Sequence, residues 1–247
     1  MNVFAIGDLH LPGGADKSMD LFGPHWEGHW DKIRADWRSR VTPEDIVLIP
    51  GDISWAMHLE EAVPDLQSIG EMPGRKILLR GNHDYWWGSL SRVRAALPPG
   101  MYVLQNDALM LEGIAFCGSR GWTWPQNAAE GEDKRIYDRE LIRLRLSLEW
   151  ARRLQPEGPL VVLTHYPPLG EGGADTPVSD LLAEFRADHV VYGHLHGASI
   201  RGAFSGMHRG TDYHFVSCDG LDFKLYRLPP LVGTAEGEVE NASPIVP

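Results

Sequence analysis

Residues 76–84 read Lys76-Ile77-Leu78-Leu79-Arg80-Gly81-Asn82-His83-Asp84, an apolar run of strand length that ends abruptly in glycine and then in three polar side chains. An apolar run stopped by glycine reads as a buried strand emptying into a tight turn. The polar residues then stand at the strand's carboxyl end, where open α/β sheets place their ligand sites. The same grammar recurs in VFAIGDLH (3–10), IVLIPGDIS (46–54), LVVLTHYPP (160–168) and HVVYGHLH (189–196). If these strands share a sheet edge, five strand ends deliver Asp, Asn and His to one place. The implied fold is α/β.

The rest of the 247-residue chain fits around that edge without a break. Its length suits one domain, and no low-complexity linker or internal repeat divides it. Residues 1–228 read as that domain and 229–247, poor in apolar periodicity, as a tail packed on the body or a neighbour. An apolar fraction of 43% and a charged fraction of 23% exclude disorder for the body. The N-terminus lacks a basic, then apolar leader, and no run is long enough to span a bilayer, so a cytoplasmic location is expected with no membrane span. Cys117 and Cys218 each end a strand-like run with no ligand-like spacing, which predicts two buried free thiols. A net charge of -11 argues against stable binding of duplex nucleic acid. It does not exclude a phosphate substrate, because bound metal ions can dominate a local field.

Between the strand ends, Trp30, Ile33 and Trp37 lie on one helical face within 28–40. Residues 58–69 look helical, with Pro64 predicting a kink or two short helices. Residues 108–111 and 114–117 flank Glu112-Gly113 as a hairpin, which a purely parallel sheet has no place for, so mixed sheets are expected. Residues 132–154 form the strongest helix, with Ile136, Leu141, Leu144, Leu148 and Leu154 along one side and a mixed-charge outer face. Strands at 213–216 and 223–226 are expected to close the second sheet.

The strand-end residues are Asp8, His10, Asp52, Asn82, His83, Asp84, His165, His194 and His196. Carboxylate, imidazole and carboxamide together suit a divalent transition ion such as Mn, Fe or Zn. They are too many for one ion. Two ions about 3.5–4 Å apart, sharing a carboxylate, clamp the attacking and leaving oxygens of an in-line phosphoryl displacement. Any one of these pairs alone would read as a turn or a core residue. Their conjunction at five strand ends is what carries the metal reading.

In order along the chain, D-x-H, G-D, G-N-H-D, a lone His after a strand and G-H-x-H resemble the calcineurin-like metallophosphoesterase superfamily, from Asp8 to His196. KSMDLFGPHW (17–26) and GNHDYWW (81–87) further resemble a bacterial branch of predicted phosphohydrolases. The resemblance implies a four-layer fold, two mixed β-sheets packed as a sandwich and flanked by helices. It implies that Asp8, His10 and His196 hold one ion, that Asn82, His165 and His194 hold the other, and that Asp52 bridges them. Two divalent ions are the implied cofactors, manganese first and iron or zinc as alternatives. In the family a metal-held hydroxide attacks phosphorus, and His83 would protonate the leaving oxygen with Asp84 orienting it.

The implied function is a metal-dependent phosphoesterase acting on a small phosphate ester, nucleotide-like as one option. Phosphodiesters come ahead of monoesters because GDISWAMH (51–58) lacks the arginine that protein phosphatases of this superfamily carry soon after the second block. A phosphomonoesterase, a pyrophosphohydrolase and a non-catalytic scaffold on the same fold stay open, as does the oligomeric state. Trp55, Trp86, Trp87, Trp122 and Trp124 follow metal motifs or lie in the Gly-rich loop; loop packing is the preferred reading over an aromatic wall for a planar group. Lys17, Arg80, Arg120 and Arg135 are candidate phosphate partners, Arg120 first. His25, His29, His58, His189, His208 and His214 read as surface or structural, with His25 and His58 the closest to the metal loops.

Overall fold

The computed structural model describes residues 1–14, 19, 23–126 and 130–231. Lys17 and the residues from 232 onward therefore lie outside the described part. Among the described residues the strands are β1 (Val3–Ala5), β2 (Ile46–Ile49), β3 (Arg75–Leu79), β4 (Met101–Leu104), β5 (Ala108–Leu111), β6 (Ile114–Ser119), β7 (Leu160–Thr164), β8 (His189–Tyr192), β9 (Gly206–His208), β10 (Thr211–Phe215) and β11 (Tyr226–Arg227). The helices are α1 (His29–Arg40), α2 (Leu59–Gly70), α3 (Leu90–Ala96), α4 (Glu132–Leu154) and α5 (Pro177–Glu184).

Two mixed sheets form, in the orders β11-β1-β2-β3-β4 and β5-β6-β7-β8-β10-β9. In the first, β1 to β4 run parallel and β11 pairs antiparallel with β1. In the second, β6, β7, β8 and β10 run parallel between antiparallel edges β5 and β9. The strands alternate their side chains between faces, and β1, β2 and all of β7 but its last residue are apolar on both. Ile46, Leu48, Ile77, Phe116, Val161, Leu163 and Val191 fill the space between the sheets. Val47, Ile49 and Leu78 face Ile33, Trp37, Leu66 and Ile69 of α1 and α2. Val162 and Val190 face Leu144, Leu148 and Leu182 of α4 and α5. The result is four layers, helix, sheet, sheet, helix.

The β5–β6 hairpin turns at Glu112 (φ 52°) and Gly113 (φ 73°), both left-handed as a two-residue hairpin turn demands. Three expectations are corrected. Residues 59–70 form one helix through Pro64, whose lost backbone bond is offset by the buried face Ala62, Leu66 and Ile69. The inner stripe of α4 is Tyr137, Glu140, Leu144, Ser147, Leu148 and Ala151, while Leu154 is exposed. The strand at 223–226 shrinks to Tyr226–Arg227, because Asp222 (φ 53°) and Phe223 (φ 56°) turn left-handed, and it joins the first sheet rather than the second. Met101–Leu104, an apolar run between Pro98-Pro99-Gly100 and Asn106-Asp107, and Gly206–His208, which has no such run, are also strands.

At one edge the sheets meet. Gly7 N donates to Val216 O at 2.7 Å and Cys218 N donates to Gly7 O at 3.1 Å, so the chain after β1 is shared with the chain after β10. This junction lies at the carboxyl ends of β1, β2, β3, β7 and β8, and it positions the site.

Candidate metal centre

After β1, β2 and β8 the chain passes into a turn that the ligand residue itself makes. Asp8 (φ 58°), His10 (φ 44°), Asp52 (φ 51°) and His194 (φ 74°) are all left-handed, a conformation that costs non-glycine residues of order 1–3 kcal/mol each. Such strain persists only where the surroundings over-determine it. Here tight packing does so: a Cβ at Gly81 would collide with Asp52 Oδ1, and one at Gly193 would collide with Asp8 Oδ2. The glycines of Gly-Asn-His-Asp and Gly-His-x-His thus make room for carboxylates contributed by other strands.

The structure brings seven of the sequence-derived residues to one place. Around Asp8, His196 Nε2 lies 3.4 Å from Asp8 Oδ1 and 3.3 Å from His10 Nε2. Around Asn82, His165 Nε2 lies 2.7 Å and His194 Nδ1 lies 2.9 Å from Asn82 Oδ1. Asp52 stands between these groups, with Oδ2 3.8 Å from His10 Nε2 and Oδ1 3.5 Å from His165 Nε2. Asp8, His10, Asp52 and His165 are buried.

The contacts of His165 are ones that a cation between the atoms would explain. Burial pushes the His165 ring below its ordinary pKa, so it is neutral, and its Nδ1 donates to the Pro50 carbonyl at 3.0 Å. Nε2 is left with a lone pair, aimed at the carboxamide oxygen of Asn82 and at Asp52 Oδ1. Acceptor thus faces acceptor. Bonds of about 2.0–2.2 Å to a shared divalent ion hold ligand atoms about 3–4 Å apart, the spacing seen around Asp8 and Asp52, while the contacts to Asn82 Oδ1 are shorter. Asp8, His10 and His196 offer one converging ligand set, and Asp8, Asp52 and His165 another. The donor set fits divalent ions.

The electrostatics agree. Burial, with Asp8 and Asp84 adding to it, pushes Asp52 up to about 9. Burial alone would raise Asp8 as well, but its hydrogen bond to His196 and the imidazoles around it hold it well below the usual carboxylate range. His196 is desolvated too, yet Asp219 and Asp8 raise it to about 10, whereas burial first of all takes His10 down to about 3 and His194 to about 4. Ionising Asp52 at neutral pH beside Asp8 and Asp84 takes added positive charge, which a bound divalent ion would supply.

His83 and Asp84 part company. The His83 ring is half-buried, 4.6 Å from Trp55 and 5.7 Å from His10 between ring centroids, and its backbone N–H donates to Asp52 Oδ1 at 2.8 Å. Its Nδ1 has no hydrogen-bond partner among the described residues. Asp84, expected to orient it, is fully buried and turned away. Asp84 Oδ1 accepts from the Ile53 and Ser54 N–H groups and from Trp86 Nε1, and Oδ2 accepts from Gly81 N. It ties the loops after β2 and β3 together instead.

Sequence reading missed Asp219 and Ser217. Asp219 Oδ1 lies 2.9 Å from His196 Nδ1, which fixes that ring with Nε2 facing the site, and Ser217 Oγ donates to Asp8 Oδ2 at 2.8 Å. Neither follows an apolar run with a metal motif; the only cue was that residues 213–216 end a strand. Tyr166, 4.1 Å from His194, and Trp26, 5.9 Å from His196, also flank the ligands. Trp86 and Trp87 are core, as loop packing requires, while half-buried Trp55 stacks on His10 at 4.8 Å. His58 serves the N-terminus of α2, and His25 is exposed. Arg80 and Arg120 form no ion pair among the described residues; burial and the neighbouring Arg120 lower Arg80. Both cysteines are buried and free.

With this geometry established, residues 1–198 match the calcineurin-like phosphoesterases. The chain belongs to that family. Metal-dependent hydrolysis of phosphoesters is the chemistry that membership assigns to it. It is 26% identical over 216 residues to the Gene 66 protein of Mycobacterium phage D29, covering 85% of this chain and 88% of that protein. Its fold resembles Phosphopantetheinyl Hydrolase (PptH) from Mycobacterium tuberculosis, with a TM-score of 0.56 at 15% identity over 96% of this chain and 98% of that one. It also resembles the protein of unknown function AQ665 from Aquifex aeolicus, with a TM-score of 0.51 at 16% identity, covering 92% and 95% of the two chains. At such identities the two solved structures share the fold alone.

Proposed function

We propose that the protein is a phosphodiesterase using two divalent ions, manganese first, on a small phosphate diester in the cytoplasm. The observation that carries the reading is the division of Asp52, one oxygen toward His10 and the other toward His165, between two converging ligand sets. Asp8, His10 and His196 would hold one ion, and Asn82, His165 and His194 the other, with Asp52 shared. Bound there, the ions supply charge neutralisation for the phosphoryl group and bring the pKa of water toward neutrality. The protein's own part is to fix the ligands and to move a proton. Asp219 and the Pro50 carbonyl fix the rings of His196 and His165, so the ligand nitrogens need no reorganisation. His83, beside Asp52 and His10 and without a partner at Nδ1 among the described residues, donates the proton to the leaving oxygen; burial, His165 and His196 lower its pKa, so it must first take up that proton, which the negative charge of an approaching phosphate favours.

A pyrophosphohydrolase is the second reading, favoured by Arg80 and Arg120, two cations close to each other and without ion-pair partners among the described residues. Arg120 O accepts from His165 N and Tyr166 N, which puts its chain against the second ligand set. A panel tests both readings: bis-p-nitrophenyl phosphate, p-nitrophenyl phosphate, a nucleotide-sugar pyrophosphate, and 2′,3′- and 3′,5′-cyclic nucleotides, each with Mn²⁺. The highest kcat/KM is expected on a diester. A clear preference for the monoester would overturn the diesterase reading, and a preference for the pyrophosphate would replace it with the second.

A further inference from the structure

A second group of metal-compatible side chains lies at the far end of the second sheet, away from the strand ends that carry the site. His189 opens β8, and Asp212 and His214 lie on β10, its parallel neighbour. Asp212 and His189 are register partners, and His214 is two residues further on, so all three project from the same face. That face looks toward the first sheet, and the ring of Tyr226 from β11 lies 5.1 Å from His214.

The ligand atoms converge. His189 Nδ1 is 2.9 Å from His214 Nε2, and Asp212 Oδ2 is 3.9 Å from the former and 3.5 Å from the latter. A point equidistant from the three lies about 2.0 Å from each, the length of a zinc–imidazole or zinc–carboxylate bond. The carboxylate is too distant to hydrogen-bond either ring, so a structural hydrogen-bonded pair of histidines accounts for only two of the three positions. Burial depresses both imidazoles, His214 to about 4, so each is neutral and has a lone pair to give. Asp212 is about one-fifth exposed, which leaves a route for an ion and room for water to complete a tetrahedron.

We infer that His189, Asp212 and His214 form a third cation site, selective for zinc by its two imidazoles and one carboxylate, separate from the phosphoesterase centre. It cross-links β8 and β10 at their amino ends. Those strands lead, at their carboxyl ends, into His194, His196, Ser217 and Asp219, so the ion would stiffen the frame on which one half of the centre rests.

Chelator-stripped protein, dialysed into zinc-buffered solution at nanomolar free Zn²⁺, tests the site by zinc content per chain. His214→Gln is expected to hold about one zinc fewer than wild type, and to hydrolyse bis-p-nitrophenyl phosphate with Mn²⁺ at the wild-type rate. Zinc content equal to wild type would overturn the inference, as would the loss of more than one ion. If His214→Gln fails to fold by circular dichroism, Asp212→Asn, a near-isosteric change at a partly exposed position, is read by the same two criteria.

Discussion

At the scale of single residues, the division of labour within Gly81-Asn82-His83-Asp84 makes distinct predictions. His83→Ala should keep its metal content and lose turnover by about 10²–10⁴-fold, more for an alkoxide leaving group than for p-nitrophenolate, because only the former needs a proton in the transition state. Steady-state kinetics on both leaving groups, with metal analysis, checks this. Asp84→Ala should instead unfold the loops. It would strand the N–H groups of Gly81, Ile53 and Ser54 and the Trp86 indole, so a loss of about 3 kcal/mol or more is expected in urea unfolding. Asp219→Asn should weaken divalent-ion affinity about 10–100-fold while leaving the fold intact, measurable by competition with a chelating dye. The sequence marked Asp8, His10, Asp52, Asn82, His165, His194 and His196 as candidates because each stands within a few residues of the end of an apolar run. It hid Asp219 and Ser217, which approach through a turn after β10, and it could not say which way Asp84 points. Adjacency in the chain suggested a partnership with His83; the backbone donors of two loops won the carboxylate instead.

Elements set where those residues can meet. Five strands end on one edge, and two of their terminal glycines, Gly81 and Gly193, are spacers against carboxylates of other strands rather than mere turns. Gly193→Ala should therefore disturb Asp8, on another strand, and abolish ion binding at the Asp8–His10–His196 set, which metal titration would detect. Most of the elements were legible as apolar runs between turn signals, and the hairpin at Glu112-Gly113 correctly announced mixed sheets. What escaped were pieces whose fate is decided by tertiary contact. The strand Tyr226–Arg227 has only two residues and is defined by pairing with β1. Pro64 is accommodated because α2 is held by its buried face, and the buried stripe of α4 takes in Ser147, whose Oγ accepts from Gly118 N of β6 and donates to Asp107 O, and Glu140, whose carbonyl accepts from Ser119 Oγ.

On the scale of the whole molecule, the site stores electrostatic stress that ions should relieve. In the metal-free protein Asp52 keeps its proton to about pH 9 and His196 to about pH 10, whereas both would have released it by about pH 6.5 in the unfolded chain. Between pH 6.5 and 9 the folded state thus binds more protons, and its stability must fall as pH rises. Below pH 6.5, His10 and His194, depressed to about 3 and about 4, act in the opposite sense. The Tm of chelated protein should drop from pH 6.5 to 9, and the gap to Mn²⁺-loaded protein should widen over the same window; a constant gap would count against the carboxylate cluster as the ion site. Among the described residues no helix is long and apolar enough to cross a membrane.

The central claim joins metal to turnover, and one titration tests it most directly. Chelated protein is titrated with Mn²⁺ while bis-p-nitrophenyl phosphate hydrolysis and bound manganese are followed together. Activity should be absent without metal and saturate as the second ion per chain binds. Full occupancy of the strand-end site by Mn²⁺, Fe²⁺ or Zn²⁺ with no hydrolysis of any phosphoester would contradict it.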